Sequence, residues 1–392
     1  MLILEAKLNG KKAQYDLIDE AIRTALFCRN KALRYWIDNK GVGKYDLNKY
    51  MAVLAKEFDF AQKLGSQARQ SGAERAWSAI SKFFDNCKKK TSGKKGFPKF
   101  KKHGNSVEYK QSGWKLSEDR KYLTLTDGFE IGRLKLIGSR DLNFYQIEQI
   151  KRVRLVRRAD GYYAQFCVDI DRREEVEPSK TTIGLDVGLN HFYTDSNGEV
   201  VENPKFLRKS ERQLKKLQRR VSKRKKGSAN RRKAVKRLAR KHLQVSRQRK
   251  DFAVKTARCV VRSNDLIAYE DLQVRNMVKN HKLAKSISDA SWSMFRQWIE
   301  YFGRVFGKVT VAVPPHYTSQ NCSTCGKQVT KTLSQRTHQC GHCGTVLDRD
   351  HNAALNILAI GLKNTVGHTG IQACGEFDLC QVDVSLVGKL SR

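Results

Sequence analysis

Two CxxC pairs, Cys322 with Cys325 and Cys340 with Cys343, stand 14 residues apart, and no other feature of the chain dictates so much local structure. Each CxxC wraps one tight turn and presents two thiolates. Two such turns place four sulfurs tetrahedrally around a single Zn²⁺. Gly326, Gly341 and Gly344 lie where those turns need backbone freedom. Four sulfur ligands leave no position for water, so the metal is structural. His338 and His342 read as exposed or packing residues rather than ligands. The other six cysteines (Cys28, Cys87, Cys167, Cys259, Cys374 and Cys380) are scattered. A disulfide scaffold would be short and evenly cysteine-dense. Plain thiols in a reducing, cytoplasmic compartment are therefore expected.

The charge balance names the kind of partner. The chain of 392 residues carries 77 Lys and Arg against 39 Asp and Glu, a formal +38. Such a surplus repels itself unless a polyanion neutralises it, which points to nucleic acid. An anionic membrane surface would need an amphipathic anchor or a lipidation motif, and neither is present. No apolar run approaches the roughly 18 residues of a membrane-spanning helix, and the N-terminal MLILEAKLNGKK lacks a signal-peptide layout. With 40% hydrophobic residues there is material for real cores, and the length suits two or three domains.

Along the chain, 2–8 reads as a strand and 11–87 as helical, with Tyr15, Ile18, Ile22, Ala25 and Leu26 at helical spacing. Residues 88–105 are a basic loop with Gly and Pro, in which Lys95, Lys99 and Lys101 are placed to meet phosphate. Short strands fill 107–170 and end in a hairpin about Ala159-Asp160-Gly161. The first half is thus a small β domain with a helical insertion. After a polar linker at 171–180 come the strand TTIGLDVG and a second strand, HFYTD, closed by Ser196-Asn197-Gly198. The stretch from Lys205 to Lys250 holds 22 Lys or Arg in 46 residues and one acid, Glu211. A thin apolar stripe through Leu207, Leu214, Leu217, Val235 and Leu238, broken at Gly227-Ser228, predicts two helices joined by a turn. Arg219, Arg220, Lys223 and Arg224 lie on their broad basic face. A strand, DLIAYEDL, and a basic loop precede a helix carrying Trp292, Phe295, Ile299, Phe302 and Phe306. Those aromatics repeat at helical spacing and belong to a core. A strand, KVTVAVP, leads into the cysteine module, and a helix, NAALNILAIGL, follows it.

Three acids lie on separate segments: Asp186 in a strand, Glu270 at a strand end, and Asp350 at a helix start. Singly, each reads as a cap or a solvated group. Together they follow the way an RNase H-like sheet gathers carboxylates. Three carboxylates within a few ångströms require cations, so the cluster implies divalent metal. Two Mg²⁺ ions so held would activate water and stabilise the leaving oxygen in phosphodiester hydrolysis. Asp271 and Asp348 are rival candidates, and strand alternation turns Asp271 away from Glu270.

The strings GLDVG, SISDASWSMFRQWIEYFG, YTSQNCSTCG and DRDHNAALNI, with the basic GFPKFKK, resemble the transposon-associated TnpB proteins, ancestor-like relatives of Cas12 effectors. The resemblance spans about 1–362. It implies a multidomain α+β chain: a β-barrel-like wedge domain (1–10 and 88–178) with a helical recognition insertion (11–87). A RuvC nuclease domain (179–315), an inserted zinc ribbon (316–346), and a last nuclease part with a tail (347–392) follow. It further implies that Asp186, Glu270 and Asp350 are catalytic, holding Mg²⁺, and that the four cysteines bind one Zn²⁺. Its implied partners are a guide RNA from the element's own end and target double-stranded DNA. Gln67, Arg69, Gln70 and Ser71 occupy the helix with which the family reads a flanking DNA motif, and Gln and Arg reach base edges. A solvated helix face is the alternative there. The activity implied is RNA-guided DNA cleavage next to a short duplex motif. The alternatives are a guided repressor without cleavage, a compact Cas12-type effector, and a DNA-joining transposase.

Overall fold

The computed structural model describes residues 2–89, 93–138, 141–332 and 335–365. The tail beyond 365, with Cys374 and Cys380, lies outside the described residues. The chain divides into two compact units between Arg172 and Arg173.

The first unit opens with β1 (Leu2–Asn9) and then leaves its sheet for four helices: α1 (Lys12–Asp38), α2 (Lys44–Glu57), α3 (Asp59–Lys63) and α4 (Ser66–Lys88). The sheet resumes with β2 (Ser106–Tyr109), β3 (Trp114–Leu116), β4 (Tyr122–Leu125), β5 (Gly132–Ile137), β6 (Ile150–Arg158) and β7 (Gly161–Val168). The seven strands run in the order β2-β6-β7-β1-β5-β4-β3, antiparallel throughout. Alternation along β1 sends Leu4 and Leu8 into a core with Phe166, Leu134 and Val153. Helix α1 is apolar on two sides. Ile18, Ala21 and Ile22 cover the sheet, while Cys28, Ala32 and Leu33 pack on Leu47, Leu54 and Ile80 of α2 and α4. The short β3, wedged between Ser-Gly and Ser-Glu segments, carries too few residues to declare itself in sequence.

The second unit begins with β8 (Thr182–Val187), β9 (His191–Asp195) and β10 (Val200–Glu202), then α5 (Phe206–Ser222) and α6 (Ala229–Ser263). Next come β11 (Leu266–Glu270), α7 (Val274–Met277), α8 (Ala284–Ala290), α9 (Trp292–Phe306) and β12 (Val309–Val313). The small ribbon β13 (Thr337–Gln339) and β14 (Val346–Asp348) precedes α10 (Arg349–Thr365). The expected flexible loop after β11 thus contains two short helices. The five-stranded sheet has the order β10-β9-β8-β11-β12, with β8, β11 and β12 parallel and the β8–β9–β10 edge antiparallel.

Strand alternation sorts this sheet's faces. Ile183 and Leu185 of β8, with Ile267 and Tyr269 of β11, bury against Phe252, Val260, Phe295 and Ile299 of α6 and α9. The intervening Leu266 and Ala268 meet Ile357 of α10 on the opposite face. Helix α10 approaches β8 so closely that a Cβ on Gly184 would stand 2.2 Å from the Ala354 carbonyl oxygen. Only glycine admits that approach. Asp289 of α8 accepts from the Leu207 and Arg208 amides at 2.9 and 3.1 Å and pairs with Arg249 at 2.8 Å. One buried carboxylate thereby caps α5 and ties it to α6. No described helix is long and apolar enough to cross a membrane.

Candidate functional site

The period that sends Leu185 and Tyr269 to one face sends Asp186 and Glu270 to the other, beneath α10. They lie one step beyond the parallel Leu185–Tyr269 pair, and Asp350 sits in the first turn of α10. Burial, then the negative charges of Glu270 and Asp350, push the Asp186 carboxyl well above the usual range, with Arg349 pulling the other way. Burial also raises Glu270, opposed by the Thr318 hydroxyl, which donates to its Oε1 at 2.6 Å. Asp350 is turned onto Arg349 at 3.0 Å and Arg336 at 3.4 Å. A half-buried strand Asp facing two more acids, one of them paired with arginines, is a donor set suited to a hard divalent cation.

The two rival acids have other work. Asp271 pairs with Arg296 on the opposite side of the strand end, and Arg296 also binds Glu300 at 2.8 Å. Asp348 caps α10, its Oδ1 accepting from the amides of Asp350 and His351 at 2.8 and 3.2 Å. Thr318, Arg336 and Arg349 were missed in the sequence. Thr318 lies within YTSQNCSTCG and Arg349 within DRDHNAALNI, while Arg336 carried no signal.

The cysteine module consists of two near-identical knuckles. Gly326 N–H donates to Cys322 O at 2.9 Å, as Gly344 N–H does to Cys340 O at 3.0 Å, and both glycines take left-handed φ of +72° and +74°. Gly341 takes an ordinary conformation, so its expected role in the turn falls away. The four sulfurs lie within 4.8 Å of one another, with Cys322–Cys343 and Cys325–Cys340 both at 3.6 Å. Zn–S bonds of about 2.3 Å set tetrahedral sulfurs roughly 3.8 Å apart, so the quartet fits zinc. The Thr345 hydroxyl and amide lower the Cys343 thiol pKa, while the neighbouring sulfurs raise that of Cys325, as expected when four thiols crowd one site. Among the described residues this is the one group of three or more His, Cys, Asp or Glu drawn close enough to hold an ion as it stands. His338 is fully buried with Nδ1 on Lys331, whereas His342 is exposed. Replacing Cys340 with Ser should drop bound zinc from one per chain towards none and unfold the module. Structural zinc contributes on the order of 10 kcal/mol of local folding energy. Metal analysis with limited proteolysis reads both outcomes.

The expected nucleic-acid contacts divide. Arg219, Arg220, Lys223 and Arg224 are exposed at the end of α5. Arg220 and Arg224 line a cleft of about 370 Å³ shared with Asn230, Lys233 and Arg237 of α6. The main chain of the basic loop is strapped to α1 and α4: Arg29 donates to Lys99 O and Asn30 to Lys101 O, both at 2.8 Å, and Asn86 to Lys95 O at 3.0 Å. The Lys99 and Lys101 side chains face solvent. On α4 three of the four side chains are tied within the fold. Arg69 donates to the carbonyls of Ala61 (3.0 Å), Gln62 (3.1 Å) and Leu64, capping the end of α3. Ser71 is buried with its hydroxyl on Gln67 O at 3.0 Å, and Gln67 Oε1 accepts from the Ser112 amide at 3.1 Å. Of the four, Gln70 alone is half-buried without such a tie.

Known proteins resemble this chain over most of its length. Residues 165–281 match the family model OrfB_IS605, described as "Probable transposase". Residues 292–357 match the model "Cas12f1-like, TNB domain". A Streptomyces pristinaespiralis protein named "Putative RNA-guided DNA endonuclease" is 34% identical over 344 residues, 86% of this chain and 80% of the relative. "Putative RNA-guided DNA endonuclease InsQ" of Escherichia coli (strain K12) is 30% identical over 297 residues, 71% and 70% of the two chains. "TnpB-like protein L770" of Acanthamoeba polyphaga mimivirus is 27% identical over 274 residues, 64% of this chain and 51% of that one. The solved Cas12f1–sgRNA–target DNA complex shares the fold, with TM-score 0.55 at 14% identity, over 88% of this chain and 83% of that one. Likeness over this much of both lengths, together with the carboxylates and the cysteine quartet, settles the family: the chain belongs to TnpB.

Proposed function

We propose that the chain is an RNA-guided DNA endonuclease that cuts target DNA at a single Mg²⁺-dependent RuvC site, beside a short flanking duplex motif. The observation that carries this reading is the convergence of Asp186, Glu270 and Asp350 under one helix. The sheet order β10-β9-β8-β11-β12, with an antiparallel edge hairpin and three parallel strands, supports an RNase H-like fold for the second unit. The first unit reads as the wedge sheet with its helical recognition insertion, and 316–346 as a zinc ribbon set into the nuclease. The names of the S. pristinaespiralis and E. coli relatives, and the guide and target DNA of the Cas12f1 complex, support RNA and DNA as partners.

In this reading the chain's residues divide the labour. Asp186 and Glu270, on neighbouring strands, would hold divalent ions between them, with Asp350 closing the site from α10. Bound Mg²⁺ would generate the nucleophilic hydroxide and stabilise the leaving oxygen. Arg349 and Arg336 neutralise Asp350 when no cation does, keeping the acids from splaying apart. The basic faces of α5 and α6 and the loop lysines meet phosphates, while guide pairing reads sequence. Zinc has no chemical step here and shapes the ribbon.

The test is what copurifies. Protein expressed with its flanking DNA should carry one abundant RNA species ending in a variable segment. If sequencing of the bound nucleic acid finds only random host RNA, guidance is excluded. The family description "Probable transposase" favours one second reading, DNA joining. Joined strand-transfer products, as against simple cuts, would establish it.

A further inference from the structure

We infer that Thr318 is a positioning residue through which the zinc module sets the orientation of Glu270. The inference rests on the carboxylate site proposed above.

Glu270 is the last residue of β11, and the chain turns away at once, with Leu272 N–H donating back to the Glu270 carbonyl at 3.0 Å. Its side chain has three rotatable bonds and lies on the face it shares with Asp186, where two carboxylates repel when both are ionised. Among the described residues, one group holds its carboxylate in place: the Thr318 hydroxyl, 2.6 Å from Oε1. That bond occupies one oxygen and leaves Oε2 for a cation. Thr318 is itself buried, and its β-branched side chain has few rotamers, so its hydroxyl has little freedom to swing.

What fixes Thr318 is the base of the cysteine module. Asn356 Nδ2 donates to the carbonyls of Thr318 and Asn321, both at 2.8 Å. One turn earlier on α10, fully buried Asn352 donates to Asn321 O at 2.8 Å and accepts from Ser323 N–H at 2.9 Å. These two asparagines clamp 318–323, the segment that ends in the first zinc knuckle at Cys322. The same helix carries Asp350. Cys322, the clamp, Thr318 and Glu270 therefore form one continuous path of chain and hydrogen bonds. Zinc binding would order one end of the path, and the acid that needs fixing lies at the other. Hydrogen-bonding partners of this kind orient metal-binding carboxylates, and removing one typically weakens the metal about 10- to 100-fold.

The test titrates Mn²⁺ into the zinc-loaded protein–guide complex by calorimetry, with the Asp186→Ala complex as the blank for ions taken up by RNA. Thr318→Val, which keeps shape and removes the hydroxyl, should weaken the Asp186-dependent Mn²⁺ site about 10-fold or more. Thr318→Ser should bind like wild type, and zinc should stay at one per chain in both. Chelating the zinc should weaken Mn²⁺ by a similar factor in wild type and add little in Thr318→Val. Wild-type Mn²⁺ affinity in Thr318→Val overturns the positioning role. Equal losses in the Val and Ser variants accompanied by loss of zinc reduce Thr318 to packing and overturn it as well. Simply additive effects of chelation and Thr318→Val overturn the coupling. If Asp186→Ala leaves Mn²⁺ uptake unchanged, the carboxylate site itself fails, and the inference falls with it.

Discussion

Asp186→Ala should abolish cleavage of a matched target while leaving guide and target binding intact. Asp186 sits mid-strand, where its charge is disfavoured by burial and by Glu270 and Asp350. A bound cation would offset such an arrangement. Metal-ion stabilisation of the transition state contributes several kcal/mol, and each ~1.4 kcal/mol is tenfold in rate, so the loss should be about 10³-fold or more. Binding should survive because affinity comes from phosphates met by basic side chains elsewhere. With chelator present the variant should also melt slightly higher at neutral pH. The folded-state pKa of Asp186 is raised, so its penalty is absent below the ordinary carboxylate value of about 3.9 and grows as pH rises through the window above it. The stability advantage of the variant should therefore be larger at neutral pH than in acid, where it vanishes. A gel shift, a cleavage time course in Mg²⁺ and a melting series across pH read the three outcomes. Near wild-type cutting would remove the nuclease assignment, and a variant that neither folds nor binds would make Asp186 structural.

The second large effect concerns salt. Of the formal +38, a net +21 lies between Lys205 and Lys250. Arg219, Arg220, Lys223 and Arg224 stand exposed there, and among the described residues none has an acidic partner. Each phosphate contact contributes a slope of roughly 0.7–0.9 in log K against log salt. Replacing all four with Gln should flatten the slope for guide RNA by about three units, a thousandfold change in affinity per decade of salt. Neighbouring Arg231 is a useful contrast. It donates to Val221 O at 2.8 Å and Arg224 O at 3.1 Å, capping α5, and its replacement should destabilise the hairpin. An unchanged slope in the fourfold variant would move the RNA contacts to another surface and leave this face merely solvated.

The sequence was most legible where geometry is local or periodic. The CxxC spacing determines the knuckles whatever surrounds them, and the stripe from Trp292 to Phe306 can only be a helix with a buried face. Asp186 and Glu270 were legible because strand alternation and parallel order carry them to one face. Harder to read were groups whose role depends on partners far along the chain. Arg69 gives no sign in its own helix of the α3 carbonyls it binds. Asp289 reads as an ordinary polar residue, yet it caps a helix 82 residues earlier. Thr318 contacts a carboxylate 48 residues away, and no local pattern announces that contact. The resemblance alone favoured Asp350 over Asp348, and the role of Asp348 as the cap of α10 became visible only in its hydrogen bonds.

The most direct test of guided cleavage at the carboxylate cluster is retargeting. The variable segment of the copurifying RNA would be replaced with an unrelated sequence, and the rebuilt complex offered two plasmids in Mg²⁺. One matches the old guide and the other the new, both beside the same flanking motif. The account predicts that cutting moves entirely to the newly matched plasmid, requires Mg²⁺, and disappears in the Asp186→Ala complex. Cutting that stays with the old plasmid, ignores the guide, or persists in the Asp186→Ala complex would contradict it.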